Sequence, residues 1–300
     1  MKELLKEKLP PNVWSFLKQL ASRVLRIWYR IINIVASLIL ALLRLLPKRL
    51  LVEVKERLSI TVKMDYARSD IYLYSDSVTE YVVRTNSSRK EPETVQWIET
   101  YVKPGDIFFD IGANTGSYSF IADCHTRGLA KIYSFEPSFS TYAQLVRNVN
   151  LNSCQERIVP LCIALSDETY LGVLNYSSLA PGAALHALGL PINNLGEVFK
   201  PVFKQPVISY RIDDFIKMFR MSPPTHLKLD VDGIELKVLK GAVETLQYPG
   251  LRSVLVEIEP SLETSEQIVG FLGLYGFHTH IIKSHGRSES STCNYIFTRD

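Results

Sequence analysis

The sequence predicts an α/β protein with a mostly parallel, doubly wound sheet. Three observations carry that expectation. From residue 107 onward, short apolar runs alternate with stretches of helical spacing, the pattern of parallel strands joined by crossover helices. The run Phe108-Phe109-Asp110-Ile111 passes directly into Gly112-Ala113-Asn114-Thr115-Gly116 and then into a helical segment, the strand–turn–helix order of such sheets. The chain has 300 residues, 46% of them hydrophobic and 22% charged, which supplies a sizeable core and excludes a disordered chain.

The first element is a basic head, residues 1–46. Residues 1–50 hold ten Lys/Arg and two Asp/Glu, whereas the remaining residues hold 24 and 29. The body is thus mildly acidic, unlike a nucleic-acid binder. Ile31–Leu43 is the strongest apolar run, but its thirteen residues fall short of a spanning helix. No small-residue cleavage site follows, which argues against a signal peptide. Gln19, Arg23, Arg26, Arg30, Asn33, Ser37 and Arg44 recur at helical spacing. They form a polar stripe opposite a wide apolar face with Trp14, Trp28 and Tyr29 near its margins. This suits a helix lying in an anionic membrane interface, a peripheral contact through residues 12–46. The competing readings are a true span, packing on the protein's own body, and packing against a second subunit of a homo-oligomer.

Pro47 ends the head, and residues 47–103 read as a small α+β subdomain. Ser59–Asp65, Ile71–Ser75 and Tyr81–Thr85 have strand composition, Asn86–Lys90 is a polar break, and Glu93–Val102 has helical spacing. Residues 104–300 form the main domain. Its expected strands are Ile107–Ile111, Lys131–Phe135, Ile158–Leu165, His226–Leu229 and Arg252–Ile258. Its expected helices are Ser117–Cys124, Phe139–Asn150, Ile234–Leu246 and Ser265–Leu274. Phe277–Lys283 and Asn294–Thr298 read as a closing hairpin around a Ser/Gly-rich turn. Residues 170–206 interrupt the alternation and read as a lid, since long segments in compact domains are usually binding loops. Four widely spaced cysteines without CxxC exclude a disulfide scaffold or zinc ribbon. They fit a reducing, cytoplasmic setting at the inner face of the membrane.

The glycine turn carries the cofactor reading. Gly112 and Gly116 let the backbone approach a ligand at the end of the first parallel strand. Their spacing is GxxxG rather than GxGxxG, which weighs against a dinucleotide and its oxidoreductase chemistry. Asp110 ends the same strand, and Glu136 ends the next, 24 residues past Gly112. A carboxylate there is placed to accept both hydroxyls of a ribose. Ala164-Leu165-Ser166-Asp167 follows the third strand, where Asp167 can accept from an adenine amino group. The three acidic strand ends, with Asn114 and Ser166 beside them, describe an adenosine with a cationic, phosphate-free tail. S-adenosylmethionine (SAM) fits that description.

At these residues the sequence resembles the FkbM-type methyltransferases of the class I, Rossmann-like SAM-dependent fold. The matching blocks are DIGANTGSYSF (110–120), FEPSFSTYAQLVRNVNLN (135–152), ALSD (164–167), YRIDDFI (210–216) and KLDVDGIELKVLKGA (228–242). The resemblance covers about 107–260. It implies a seven-stranded sheet, with the tail hairpin supplying the antiparallel strand. It also implies O-methylation of a hydroxyl on a sugar, glycolipid or natural-product acceptor. The family usually carries Glu where this chain has Asp232.

In that last block, strand alternation sends Lys228, Asp230 and Asp232 to one side, and Gly233 permits a tight exit. Glu235 falls in the first turn of the following helix, and Glu257 and Glu259 end the neighbouring strand. A hydroxyl acceptor needs positioning and a general base. Asp230 is the leading candidate, with Glu235 and Asp232 next, and Lys228 holding these carboxylates ionised or stabilising alkoxide charge. The bland reading is a buried Lys–Asp pair plus a helix N-terminal Glu. A divalent cation on the carboxylates is a minor alternative, and no metal is expected. His278 and His280 share a strand face without a third ligand; His186, in the lid, is a second candidate base. A catalytically degenerate SAM-binding scaffold docked at a membrane is the competing functional reading.

Overall fold

A computed structural model describes residues 11–193, 196–258, 263–282 and 293–299. By packing, the chain divides between Ser59 and Ile60, so residues 60–103 share one unit with the sheet. The first unit holds helices α1 (Pro11–Leu43) and α2 (Lys48–Arg57). Helix α1 is continuous through Arg26 and Arg30, since arginine is a good helix former. Its stretch Gln19–Leu43 is 25 residues long and none of it is buried. The thirteen-residue run therefore understates the apolar helix, which by length and composition alone suffices to cross a membrane.

The second unit opens with a two-stranded ribbon, β1 (Thr61–Lys63) and β2 (Tyr72–Tyr74). Next come the short helices α3 (Val78–Val82) and α4 (Ser87–Lys90) and then α5 (Pro92–Tyr101). The expected strand Tyr81–Thr85 is thus corrected. Ser77-Val-Thr-Glu80 forms a capping box, with Ser77 Oγ accepting from Glu80 N and Glu80 accepting from Ser77 N. That starts a helix which a 3₁₀ turn at Arg84–Asn86 prolongs, overriding the β-branched composition.

The main sheet is built from β3 (Ile107–Ile111), β4 (Lys131–Phe135) and β5 (Ile158–Leu161), with α6 (Ser117–His125) and α7 (Phe139–Leu151) as crossovers. At Cys162 the chain leaves this sheet, so the expected strand Ile158–Leu165 is two. The second piece, β6 (Ala164–Leu165), pairs with β9 (Phe203–Tyr210) in a four-stranded sheet that includes β7 (Tyr170–Tyr176) and β8 (Ala187–Leu188). Pro160 is tolerated because β5 is an edge strand. Segment 170–206 is accordingly not all loop: it holds β7, β8 and the start of β9, with a shorter strap between β7 and β8.

After α8 (Ile212–Met218) come β10 (His226–Leu229), α9 (Glu235–Lys240), α10 (Val243–Gln247), β11 (Ser253–Ile258), α11 (Glu263–Gly273), β12 (His278–Ile282) and β13 (Cys293–Thr298). The expected helix Ile234–Leu246 breaks at Gly241, where a Cβ would lie 2.1 Å from the Ser166 carbonyl oxygen. Asp213 starts the second half by accepting from Glu244 N and Thr245 N. The seven strands run in the order β12-β13-β11-β10-β3-β4-β5, and β13 alone runs against the direction of the other six. The chain starts at β3, moves outward through β4 and β5, and returns on the other side as β10. The switch point therefore lies between β3 and its neighbours, where open α/β sheets bind ligands.

Alternation along β3 splits the core: Phe108 joins the buried cluster with Trp97, Phe120 and Leu145, and Phe109 joins the one with Phe135, Leu227 and Val254. The ribbon is fastened to α7 by asparagines. Tyr74 N donates to Asn148 Oδ1 at 2.8 Å, and Tyr72 exchanges two hydrogen bonds with Asn152.

Candidate active site

The turn after β3 is shaped by left-handed backbone at Gly112 (φ 79°), Asn114 (φ 50°) and Gly116 (φ 94°). A Cβ on Gly112 would stand 1.8 Å from the Asp230 carbonyl oxygen, so only glycine allows this turn to lie against the end of β10. Gly116 starts α6 and packs against Leu145 and Phe120. Asn114 N donates to Glu136 Oε2 at 3.0 Å and Ser138 N to Glu136 Oε1 at 2.8 Å. The Glu136 carboxylate thereby ties the glycine turn to the end of β4. Burial pushes Glu136 up to about 7, against the pull of these two N–H donors and of Arg84.

A cavity of about 810 Å³ opens above these strand ends, within the usual range for small-molecule sites. Gly112, Asn114 and Glu136 line one side, and Ile163, Ala164, Leu165, Leu174 and Leu188 supply an apolar wall. Lys228, Asp230, Asp232 and Glu257 line the other side. Lys228 is fully buried, and register places it beside Asp110 across the β3–β10 pair. Its Nζ donates to Asp230 Oδ2 at 2.9 Å and lies 3.7 Å from Asp110 Oδ1. Burial opposes charge on all three. The Lys228 ammonium nonetheless holds Asp230 well below the ordinary carboxylate range, and the surrounding carboxylates hold Lys228 above the ordinary lysine value. Burial and the Asp230 charge push Glu257 well up, and its carboxyl shares a hydrogen bond with Asp230. Asp232 sits at φ 54°, and burial and Asp230 raise it to about 6.

The strap between β7 and β8 covers this cavity through Ala183, Ala184, Leu185 and His186. Four polar contacts hold it. Ser77 Oγ donates to the Pro181 carbonyl, the Arg84 guanidinium makes two hydrogen bonds to the Gly182 carbonyl, and Asn114 Nδ2 donates to the Ala183 carbonyl. Leu185 N donates to Asp232 Oδ2 at 2.7 Å. Burial lowers His186 to about 4. Its Nδ1 accepts from Ser177 N at 3.3 Å, which suits the neutral imidazole.

Of the residues expected from sequence, Gly112, Asn114, Glu136, Lys228, Asp230 and Asp232 meet at one cavity. Five others are not among its lining residues. Asp110 is fully buried against Ser119 and Lys228, and Gly116 packs into the core. Ser166 donates to Asp167 Oδ1, and Ala164 and Leu165 line the cavity at this strand end. Glu235 caps the turn by accepting from Gly233 N at 3.1 Å, and burial raises it to about 7. Glu259 lies outside the described residues. Arg84, Lys90, Glu91 and Tyr118 also line the cavity and were not expected. The capping box at Ser77 was the one sequence signal that brings Arg84 to the strap. No group of three or more His, Cys, Asp or Glu among the described residues could hold a metal ion.

The donor set suits SAM. Glu136 is a buried acceptor for a diol, the apolar wall suits a flat base, and the carboxylates favour a cationic tail. Comparisons with known proteins agree. The methyltransferase FkbM domain family matches residues 110–286. The chain is 25% identical over 187 residues to hexuronic acid methyltransferase AglP of Haloferax volcanii, covering 62% of this chain and 70% of that one. It is 28% identical over 196 residues to 31-O-demethyl-FK506 methyltransferase FkbM of Streptomyces tacrolimicus, covering 59% and 74%. Among solved structures, methyltransferase FkbM from Methylobacillus flagellatus KT superposes with a TM-score of 0.44 at 18% identity. That superposition covers 65% of this chain, which spans 44% of that one. With the turn, the sheet order and the block at Lys228–Ala242 in agreement, the chain belongs to the FkbM family of SAM-dependent methyltransferases.

Proposed function

We propose that the chain methylates a hydroxyl on a sugar, glycolipid or natural-product acceptor that enters beneath the strap. The observation that carries this reading is the buried carboxylate set Asp230, Asp232 and Glu257, organised by Lys228 on the wall facing the cofactor turn. The acceptors named for the two relatives, a hexuronic acid and a demethylated FK506, support it. Glu136 holds the ribose hydroxyls, and the turn at Gly112–Asn114 holds the tail. When bound, SAM supplies an electrophilic methyl group.

Asp230 stays ionised beside Lys228, so it accepts a hydrogen bond from the acceptor hydroxyl and fixes its direction. Its low proton affinity makes it a poor base. Glu257 remains protonated and steadies Asp230 by donating to it. Asp232, at about 6, is ionised at neutral pH and holds the highest proton affinity of the ionised carboxylates on this wall, so it takes the hydroxyl proton. The strap acts as a lid that excludes water. Four widely spaced cysteines without a CxxC pair support a cytoplasmic setting.

The test is methyl transfer from labelled SAM to hydroxyl acceptors, with SAM affinity measured separately. Wild-type turnover falls below about pH 6. Asp232→Asn lowers kcat by about 10²–10⁴ and removes that limb, with SAM binding retained. Full kcat in Asp232→Asn overturns the assignment, and tight SAM binding without turnover on any acceptor favours a scaffold.

A further inference from the structure

Helix α1 presents an apolar surface that nothing in its own unit covers. Leu20, Val24, Ile27, Ile31, Ile34 and Leu38 run along one row and are each 47–61% exposed. Leu25, Trp28, Ile32 and Ile39 widen the face on its other side and are exposed as well. The opposite edge is the stripe from Gln19 through Arg23, Arg26, Arg30, Asn33 and Ser37 to Arg44. Residues 11–59 hold nine Lys/Arg and two Asp/Glu. We infer that α1 is a docking surface for an anionic lipid membrane, lying along the headgroup plane with the arginine stripe outward.

Three considerations select that occupant. A second helix of another copy covers a narrow seam, whereas this apolar arc takes up more than half the circumference and would stay exposed on both flanks. A lipid surface covers the whole arc. A span centred on Gln19–Leu43 places Arg30 next to the bilayer midplane, at a cost an interfacial helix avoids. The excess of basic residues complements anionic headgroups, and the stripe runs from Gln19 to Ser37 along one edge of the helix, as an interfacial helix requires. This inference is independent of the acceptor and of the proton route.

The experiment is flotation of the full-length chain with phosphatidylcholine vesicles, with and without phosphatidylglycerol. The chain should float only with the anionic vesicles and be released by high salt and by alkaline carbonate. Arg23→Gln, Arg26→Gln and Arg30→Gln should each lower partitioning about fivefold, equivalent to ~1 kcal/mol per charge. Ile27→Ser with Ile34→Ser should lower it on the anionic vesicles with every arginine still in place. An unchanged thermal shift with SAM confirms that each variant's catalytic unit is folded. Resistance to carbonate would mean a spanning helix. Indifference to vesicles with dimers in sedimentation equilibrium would mean a second copy. Either result overturns the inference.

Discussion

Cofactor binding should depend on the charge of Glu136. Burial lifts this carboxyl to about 7, so it titrates in the neutral range rather than near its ordinary value. Ribose hydroxyls donate to a carboxylate, so SAM selects the ionised form. Affinity is then fully present above pH 7 and is lost as pH falls through 7. Where only the ionised form binds, the apparent Kd rises about tenfold at pH 6 and approaches a hundredfold at pH 5. Glu136→Gln keeps the shape and one acceptor for Asn114 N or Ser138 N, and it cannot titrate. It should bind SAM about 10–100-fold more weakly at pH 8, the scale of lost charge-assisted hydrogen bonds. Calorimetric titration of both proteins from pH 5.5 to 8 tests this, and their ratio cancels the ligand's own titration and that of Asp232 and Glu235. The ratio should shrink toward low pH. A ratio that is constant across the range refutes the ribose role and the charge argument together.

Other outcomes follow from the same geometry. Gly112→Ala meets the Asp230 carbonyl oxygen at 1.8 Å, so it should abolish SAM binding; Gly105→Ala shares a positive φ (87°) with nothing within 4 Å and should cost only the ~1–2 kcal/mol of left-handed backbone, read by urea unfolding. Lys228→Met leaves Asp230 and Asp110 buried without their cation and should destabilise by about 3–5 kcal/mol, with part recovered in Lys228→Met/Asp110→Asn. Arg84→Ala removes both hydrogen bonds to the Gly182 carbonyl, and should speed protease cleavage in the strap and SAM dissociation measured by stopped flow.

The parallel strands were legible because each is a short apolar run bounded by turn residues, and burial on both faces gives that pattern directly. Glu136 and Gly112 were legible for a related reason: strand ends at a switch point need few residue types. The stretch Ile158–Leu165, which leads to Ser166 and Asp167, misled as to its pairing because it was read as one strand. The chain switches sheets at Cys162, and nothing in the local pattern marks that, since it depends on pairing with Ser209 and Tyr210 over forty residues away. Tyr81–Thr85 misled for a local reason, because two valines and a tyrosine suggest β structure while Ser77 and Glu80 cap a helix. Arg84, Lys90 and Glu91 were invisible as site residues, because their place depends on how the segment before β3 packs over the switch point.

Asp232 illustrates how a departure from a family pattern can be absorbed. The residue occupies left-handed backbone at φ 54°, which a short polar side chain tolerates better than the Glu that the family usually carries. Its carboxylate reaches Leu185 N at 2.7 Å, and Leu185 is itself left-handed at φ 63°. The shorter arm therefore ties the strap backbone directly to the end of β10. The cofactor side is linked to the same edge, since Asn114 Nδ2 holds the Ala183 carbonyl while Asn114 N holds Glu136. The Gly112 turn in turn rests on the Asp230 backbone, and Asp230 N donates to the Ile111 carbonyl. A change in side-chain length at residue 232 thus acts on the proposed proton acceptor, on the strap and, through Asn114, on the cofactor turn, whereas the isosteric Asn does not move the strap. Restoring the longer side chain by Asp232→Glu would relieve none of these constraints. It would push the strap outward at Leu185, so its cost belongs in both kcat and SAM affinity rather than in kcat alone.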